Sequence, residues 1–213
     1  MARPPSIPPL VPPGATFAFG ESPFHAKGVL YLGTQTFFEA NLQGGFAAFT
    51  VEIQEPELAA FIGQKFLPSS WYDVMPVPAL IAYEARALRM TLDQYLLHRT
   101  RWQAKKDLGG IYGWVLKLAS PGAVFTRLPK VFVQMFDFAT VQMDVRDSSS
   151  GKGTIRGIPE PLGPWLTTAL GVYVDTALKL AGARTIEAKI APVGEGVRAG
   201  VPILRIDLEV SWR

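Results

Sequence analysis

Apolar and polar residues alternate most regularly near the end of the chain. Leu204, Ile206, Leu208, Val210 and Trp212 oppose Ile203, Arg205, Asp207, Glu209 and Ser211, a period of two that predicts a half-buried strand over Val201–Trp212. Arg184 to Pro192 precedes it as the other arm of a hairpin around Gly194, Gly196 and Gly200. An earlier hairpin begins at Phe138 and runs to Arg146, with Val141, Met143 and Val145 on one face and Gln142, Asp144 and Arg146 on the other. It turns through the polar segment 147–153 and returns over Gly153–Ile158. Between the hairpins, Leu166, Leu170, Val174, Ala177 and Leu178 recur at helical spacing within Trp165–Ala181. Gly182 stands where a residue of left-handed conformation closes a helix.

The N-terminal two-thirds carries a different period. Leu58, Phe61, Ile62 and Phe66 predict a helix over Glu55–Phe66, broken by Pro68-Ser69-Ser70. A second is predicted within Trp71–Met90, entered through Pro76 and Pro78. Thr91 and Gln94 have the spacing of a reciprocal N-terminal cap for a third, running to Asp107. Gly109-Gly110 kinks or breaks it before an apolar helix over Ile111–Ala119. Ser120 caps another over Ser120–Met135, which Pro129 should kink. Ala26–Thr36, rich in β-branched and aromatic residues, reads as a strand or a strand and bend. Gln35–Asn41 reads as a short helix ended by Gly44-Gly45, and Phe46–Ile53 stays open between strand and loop. Residues 1–25 form a Pro-rich arm, extended and irregular; it reads as a leader or linker, with Pro5 to Pro8 also matching a PxxP ligand. The expected fold class is α+β: a helical N-terminal two-thirds packed on an antiparallel sheet built from a hairpin–helix–hairpin C-terminal third. Residues 26–213 are expected to be a single domain.

Composition narrows the function classes. Hydrophobic residues make up 48% and charged residues 18% of the 213, so the chain must pack densely or keep an apolar surface for a partner or ligand. The net charge of +3 is small and the basic residues are scattered, which argues against nucleic acid as a partner. With no cysteine, disulfides, thiolate metal sites and a Cys nucleophile are excluded, and a reducing cytoplasm is the expected location. Prolines interrupt the N-terminal apolar stretches, so no signal peptide is expected, and no run approaches the ~20 residues of a membrane span.

No catalytic constellation is visible. The only two histidines, His25 and His98, lack metal-ligand spacing, and no metal site is expected. There is no Gly-x-Ser-x-Gly elbow. Gly151-Lys152-Gly153-Thr154 lies in a hairpin turn rather than before a helix, which rules out a phosphate loop. Aromatic residues beside polar groups stand out instead. Trp71, Tyr72, Tyr95, His98, Trp102 and Tyr112 are the candidate lining of a small-molecule site, because buried Tyr and Trp seek partners for their polar tips. The alternative is that they are ordinary core and helix-surface residues.

Three stretches also resemble a family of uncharacterised bacterial paralogues. They are Phe66-Leu67-Pro68-Ser69-Ser70-Trp71-Tyr72-Asp73-Val74-Met75-Pro76, Asp107-Leu108-Gly109-Gly110-Ile111-Tyr112 with Ser120-Pro121, and Phe136-Asp137-Phe138. The order of elements, helices before a hairpin–helix–hairpin sheet, resembles the haem-nitric oxide/oxygen-binding and four-vinyl reductase sensor domains. That resemblance implies a small molecule bound within the fold, and His98 stands roughly where the gas sensors carry their proximal His. Those sensors hold the haem propionates with a Tyr-x-Ser-x-Arg motif, which is missing from this chain, so haem is not expected and no cofactor is assigned. The reading that follows is a non-catalytic sensory domain for a small apolar ligand. It carries a possible homodimer or signalling protein as partner, and neither nucleic acid nor a membrane span. The alternatives are a dimerising interaction scaffold without ligand, or an enzyme with His98 as base.

Overall fold

The computed structural model describes residues 4–109 and 119–213. Its contacts divide the chain into two compact units, Met1–Arg99 with Ala199–Val201, and Thr100–Arg198 with Pro202–Arg213. The α+β class stands, with helices concentrated before a four-stranded antiparallel sheet.

The first unit opens with the arm. Residues 4–24 are irregular, as their prolines require, yet they are tied down. Arg86 Nε donates to the Pro5 carbonyl at 2.7 Å, and Thr16 N to the Ala199 carbonyl at 3.0 Å. Ser22 anchors the end of the arm to the buried Asp73, Oγ to Oδ1 at 2.5 Å. Strand β1 (His25–Lys27) pairs antiparallel with β2 (Trp71–Asp73). The strand expected over Ala26–Thr36 stops at Lys27. Helix α1 (Val29–Asn41) takes its place and absorbs the short helix expected at Gln35–Asn41. Local β-propensity yields here to packing, because Tyr31, Thr34, Phe37 and Phe38 are buried at a helical repeat. Phe46–Ile53 resolves as α2 (Gly45–Val51), started by Gly44 at φ +85°. Helix α3 spans Pro56–Gly63, shorter than the predicted Glu55–Phe66 and ending before Phe66. Within Trp71–Met90 the first three residues are strand, and the helix, α4 (Val77–Ala87), begins only after Pro76. Helix α5 (Leu92–Gly109) has the predicted cap: Gln94 N donates to Thr91 Oγ1 at 3.3 Å and Thr91 N to Gln94 Oε1 at 3.1 Å. The expected Ile111–Ala119 helix falls almost wholly outside the described residues.

The second unit is built on the sheet. Ser120–Met135 is two short helices rather than one kinked helix, α6 (Pro121–Phe125) and α7 (Leu128–Met135). Ser120 Oγ accepts from Ala123 N, and Pro129 sits in the first turn of α7, where its missing N–H costs nothing. Strands β3 (Thr140–Asp147) and β4 (Ser150–Pro159) form the first hairpin. Helix α8 (Gly163–Leu180) follows, then β5 (Ile186–Arg198) and β6 (Val201–Trp212). The strand order is β3-β4-β6-β5. A bulge between Ile155 and Ile158 interrupts the β4–β6 register where Gly157 adopts φ +83°. Helix α8 ends as predicted: Gly182 at φ +97°, Gly182 N on the Lys179 carbonyl and Ala183 N on the Leu178 carbonyl. One core cluster gathers Phe125, Val174, Leu178, Leu208, Val210 and Trp212. The Phe125 ring lies so close to Gly151 that a Cβ there would meet it at 2.6 Å. No helix among the described residues is long and apolar enough to cross a membrane.

Candidate functional site

Helix α5 carries the chemistry singled out in sequence. Its capped start places Tyr95 inward and His98 outward: Tyr95 is fully buried and His98 exposed. Both ring systems meet Phe37 of α1 nearly edge-on, Tyr95 at 6.2 Å and His98 at 5.9 Å between centroids. The Arg99 guanidinium lies over the same Phe37 ring at 4.8 Å. Phe37 is itself fully buried, so His98 presents an imidazole from solvent against the edge of the core. No hydrogen bond joins His98 to a Ser, Asp or Glu among the described residues, unlike the arrangement a catalytic base would need.

The other predicted residues fall elsewhere. Tyr72 belongs to a second aromatic group with Tyr31, Phe61 and Phe66, and its hydroxyl accepts from Leu67 N at 2.8 Å. Trp71 is exposed, with Lys27 Nζ 3.6 Å from its ring centre. Trp102 lies one turn beyond His98 on α5 and belongs to the second unit, where Lys106 sits over its ring at 5.1 Å. Tyr112 lies outside the described residues. Open clefts occur among the described residues of the second unit. One of about 470 Å³ is lined by Ser120, Pro121, Thr126, Val145, Asp147 and Ser148 among others, and one of about 360 Å³ lies beside β5 and β6. Neither is lined by Trp71, Tyr72, Tyr95, His98 or Trp102. Among the described residues no cluster of three or more His, Asp or Glu could hold a metal ion.

Sequence reasoning missed Glu84. Helix α4 is buried on almost every face, from Val77 through Leu80, Ile81, Tyr83 and Ala85, and Glu84 is buried with them. Tyr95 donates its hydroxyl to Glu84 Oε2 at 2.5 Å. Desolvation pushes the carboxyl up to about 7, against the opposing pull of Arg99, Tyr95 and Thr34. The Tyr95 phenol is held well above its ordinary range by burial and by the Glu84 charge. The signal lies in the run Ala79-Leu80-Ile81-Ala82-Tyr83-Glu84-Ala85, where a lone carboxylate has apolar neighbours on every side of a helix.

No family model matches the chain, and no curated protein matches it in sequence. Solved structures match it in fold. A variant of the T. tengcongensis H-NOX domain has TM-score 0.60 and 9% identity, over 88% of this chain and 97% of that one. An oxygen-binding H-NOX domain related to soluble guanylate cyclases, as its oxygen complex, has TM-score 0.58 and 10% identity, over 88% and 95%. An H-NOX structure concerned with heme distortion has TM-score 0.59 and 11% identity, over 88% and 95%. This corrects the expectation that the chain takes no cofactor and that haem is not to be expected. That expectation rested on one missing propionate-holding motif, whereas the fold is shared with proteins described by their haem. Over most of its length, the chain has the fold of the haem-nitric oxide/oxygen-binding sensor domains, at an identity that establishes the fold alone.

Proposed function

We propose that this chain is a small-molecule sensor domain that binds haem through the His98 imidazole. The observation that carries the reading is the fold, which extends over 88% of the chain and nearly the whole of the matched sensor domains. The donor set supports it. Imidazole nitrogen is a good iron ligand, and His98 is exposed on a capped helix with its ring against Phe37. Haem would supply an iron able to take a diatomic gas; one of the matched domains is an oxygen complex. The residues of this chain would hold and orient it, with His98 as the iron ligand and Phe37 packed against the imidazole.

The missing Tyr-x-Ser-x-Arg has a consequence for affinity. Charge-assisted hydrogen bonds contribute about 1.5–3 kcal/mol each. Losing two at the propionates weakens haem binding by roughly two to four powers of ten. Haem is therefore expected to need reconstitution rather than to survive purification. The test is addition of hemin to the purified chain, reduction, and exposure to carbon monoxide, nitric oxide and oxygen. A one-to-one complex whose Soret band moves with at least one gas is the expected result. A chain that stays colourless after hemin addition overturns the reading, and a colourless dimer favours the interaction scaffold.

A further inference from the structure

Outside His98 itself, the chemistry least explained by packing is the buried carboxyl of Glu84, in the first unit. Its Oε2 accepts from Tyr95, and its Oε1 has no hydrogen-bond partner among the described residues. The groups facing it are Tyr95 and Arg99 from α5 and Thr34 from α1. Tyr95 and Arg99 flank His98, three residues before it and one after, and all three side chains rest on Phe37.

Apolar contacts on Phe37 leave the rotation of α5 about its own axis loosely defined, because burial is non-directional. Hydrogen bonds have directions, and one to a buried charged group resists a roll of the helix. We infer that Glu84 is a positioning residue for His98: through Tyr95 it sets the rotation of α5, and with it the direction in which the imidazole is presented. This rests on the reading of His98 as the ligand-bearing residue. It explains why an acid is kept in a helix that is otherwise buried almost throughout. A buried carboxylate is a poor device for stability, and a hydrophobic residue of similar size would avoid the desolvation it suffers.

The test begins without haem. The chain has two histidines, so a protein labelled in histidine gives two imidazole signals, and His25 on β1 serves as the internal control. His98 lies 5.9 Å from the Phe37 ring, close enough for the ring current to report a small roll of α5. At about pH 8, where the Glu84 carboxyl is mostly ionised, Glu84→Gln is expected to displace the His98 resonances and leave those of His25 in place. Glu84→Asp is expected to bring them part of the way back. Unchanged His98 resonances in a folded Glu84→Gln protein overturn the inference. Should that variant fail to fold, Tyr95→Phe removes only the hydroxyl, and the same two outcomes decide. A parallel hemin titration of the unaltered chain decides the haem reading separately, so a chain that refuses hemin and yet shows the His98 displacement refutes the function and keeps the positioning role.

Discussion

Glu84 makes the stability of this protein depend on pH in a direction opposite to that of most carboxylates. Its pKa is raised from 4.5 in the unfolded chain to about 7 in the folded one. Where the unfolded state is ionised and the native state still protonated, the native state holds more protons, so stability falls as pH rises. The penalty is absent below about pH 4.5, grows between there and 7, and is complete above. At about 1.36 kcal/mol per pKa unit it amounts to roughly 3 kcal/mol, of which about 2–3 kcal/mol accrues between pH 5 and 8. Glu84→Gln keeps the shape and removes the ionisation. Its stability difference between pH 5 and 8 should therefore be less unfavourable than that of the unaltered chain by about 2–3 kcal/mol. The assay is urea unfolding followed by far-UV circular dichroism at both pH values. With a urea slope of about 3 kcal/mol per molar, the predicted change moves the midpoint difference by roughly 1 M. Equal pH dependence in the two proteins would refute the account of Glu84 as a desolvated acid.

Three further substitutions test the packing. Phe125→Ala removes a fully buried ring from the cluster with Leu178 and Trp212 and should cost about 3–5 kcal/mol, measured by calorimetry. Gly200→Ala places a Cβ 1.9 Å from the Gly14 carbonyl at φ +76°. It should loosen the N-terminal arm, read as faster proteolytic cleavage within residues 4–24. Thr91→Ala deletes the α5 cap and should lower stability by about 1 kcal/mol in urea unfolding.

Features written in local chemistry are legible in the amino-acid sequence. The Thr91–Gln94 cap, the Gly182 helix end and both C-terminal hairpins each follow from residues within a few positions of one another. Features set by distant partners are not. Tyr31 and Thr34 have strand-like propensities, and burial alongside Phe37 and Phe38 makes their segment a helix. The alternation of β6 is readable, but not the bulge across from it, where Gly157 takes φ +83° and only a glycine fits, since a Cβ there would meet the Phe138 carbonyl at 2.6 Å. In the site, Tyr95 and His98 are both picked out by sequence and do share a neighbour, Phe37. Trp71 and Tyr72 instead belong to β2 and contact other side chains. Aromatic content alone does not separate these groups, because the contact partners come from helices far apart in sequence.

Binding of haem iron by the His98 imidazole is decided by a hemin titration of the chain beside His98→Ala, read by absorbance. The unaltered chain should form a saturable one-to-one complex. His98→Ala should give a changed spectrum and weaker binding, restored toward the original by free imidazole. Identical spectra and affinities in the two proteins would contradict iron binding by His98.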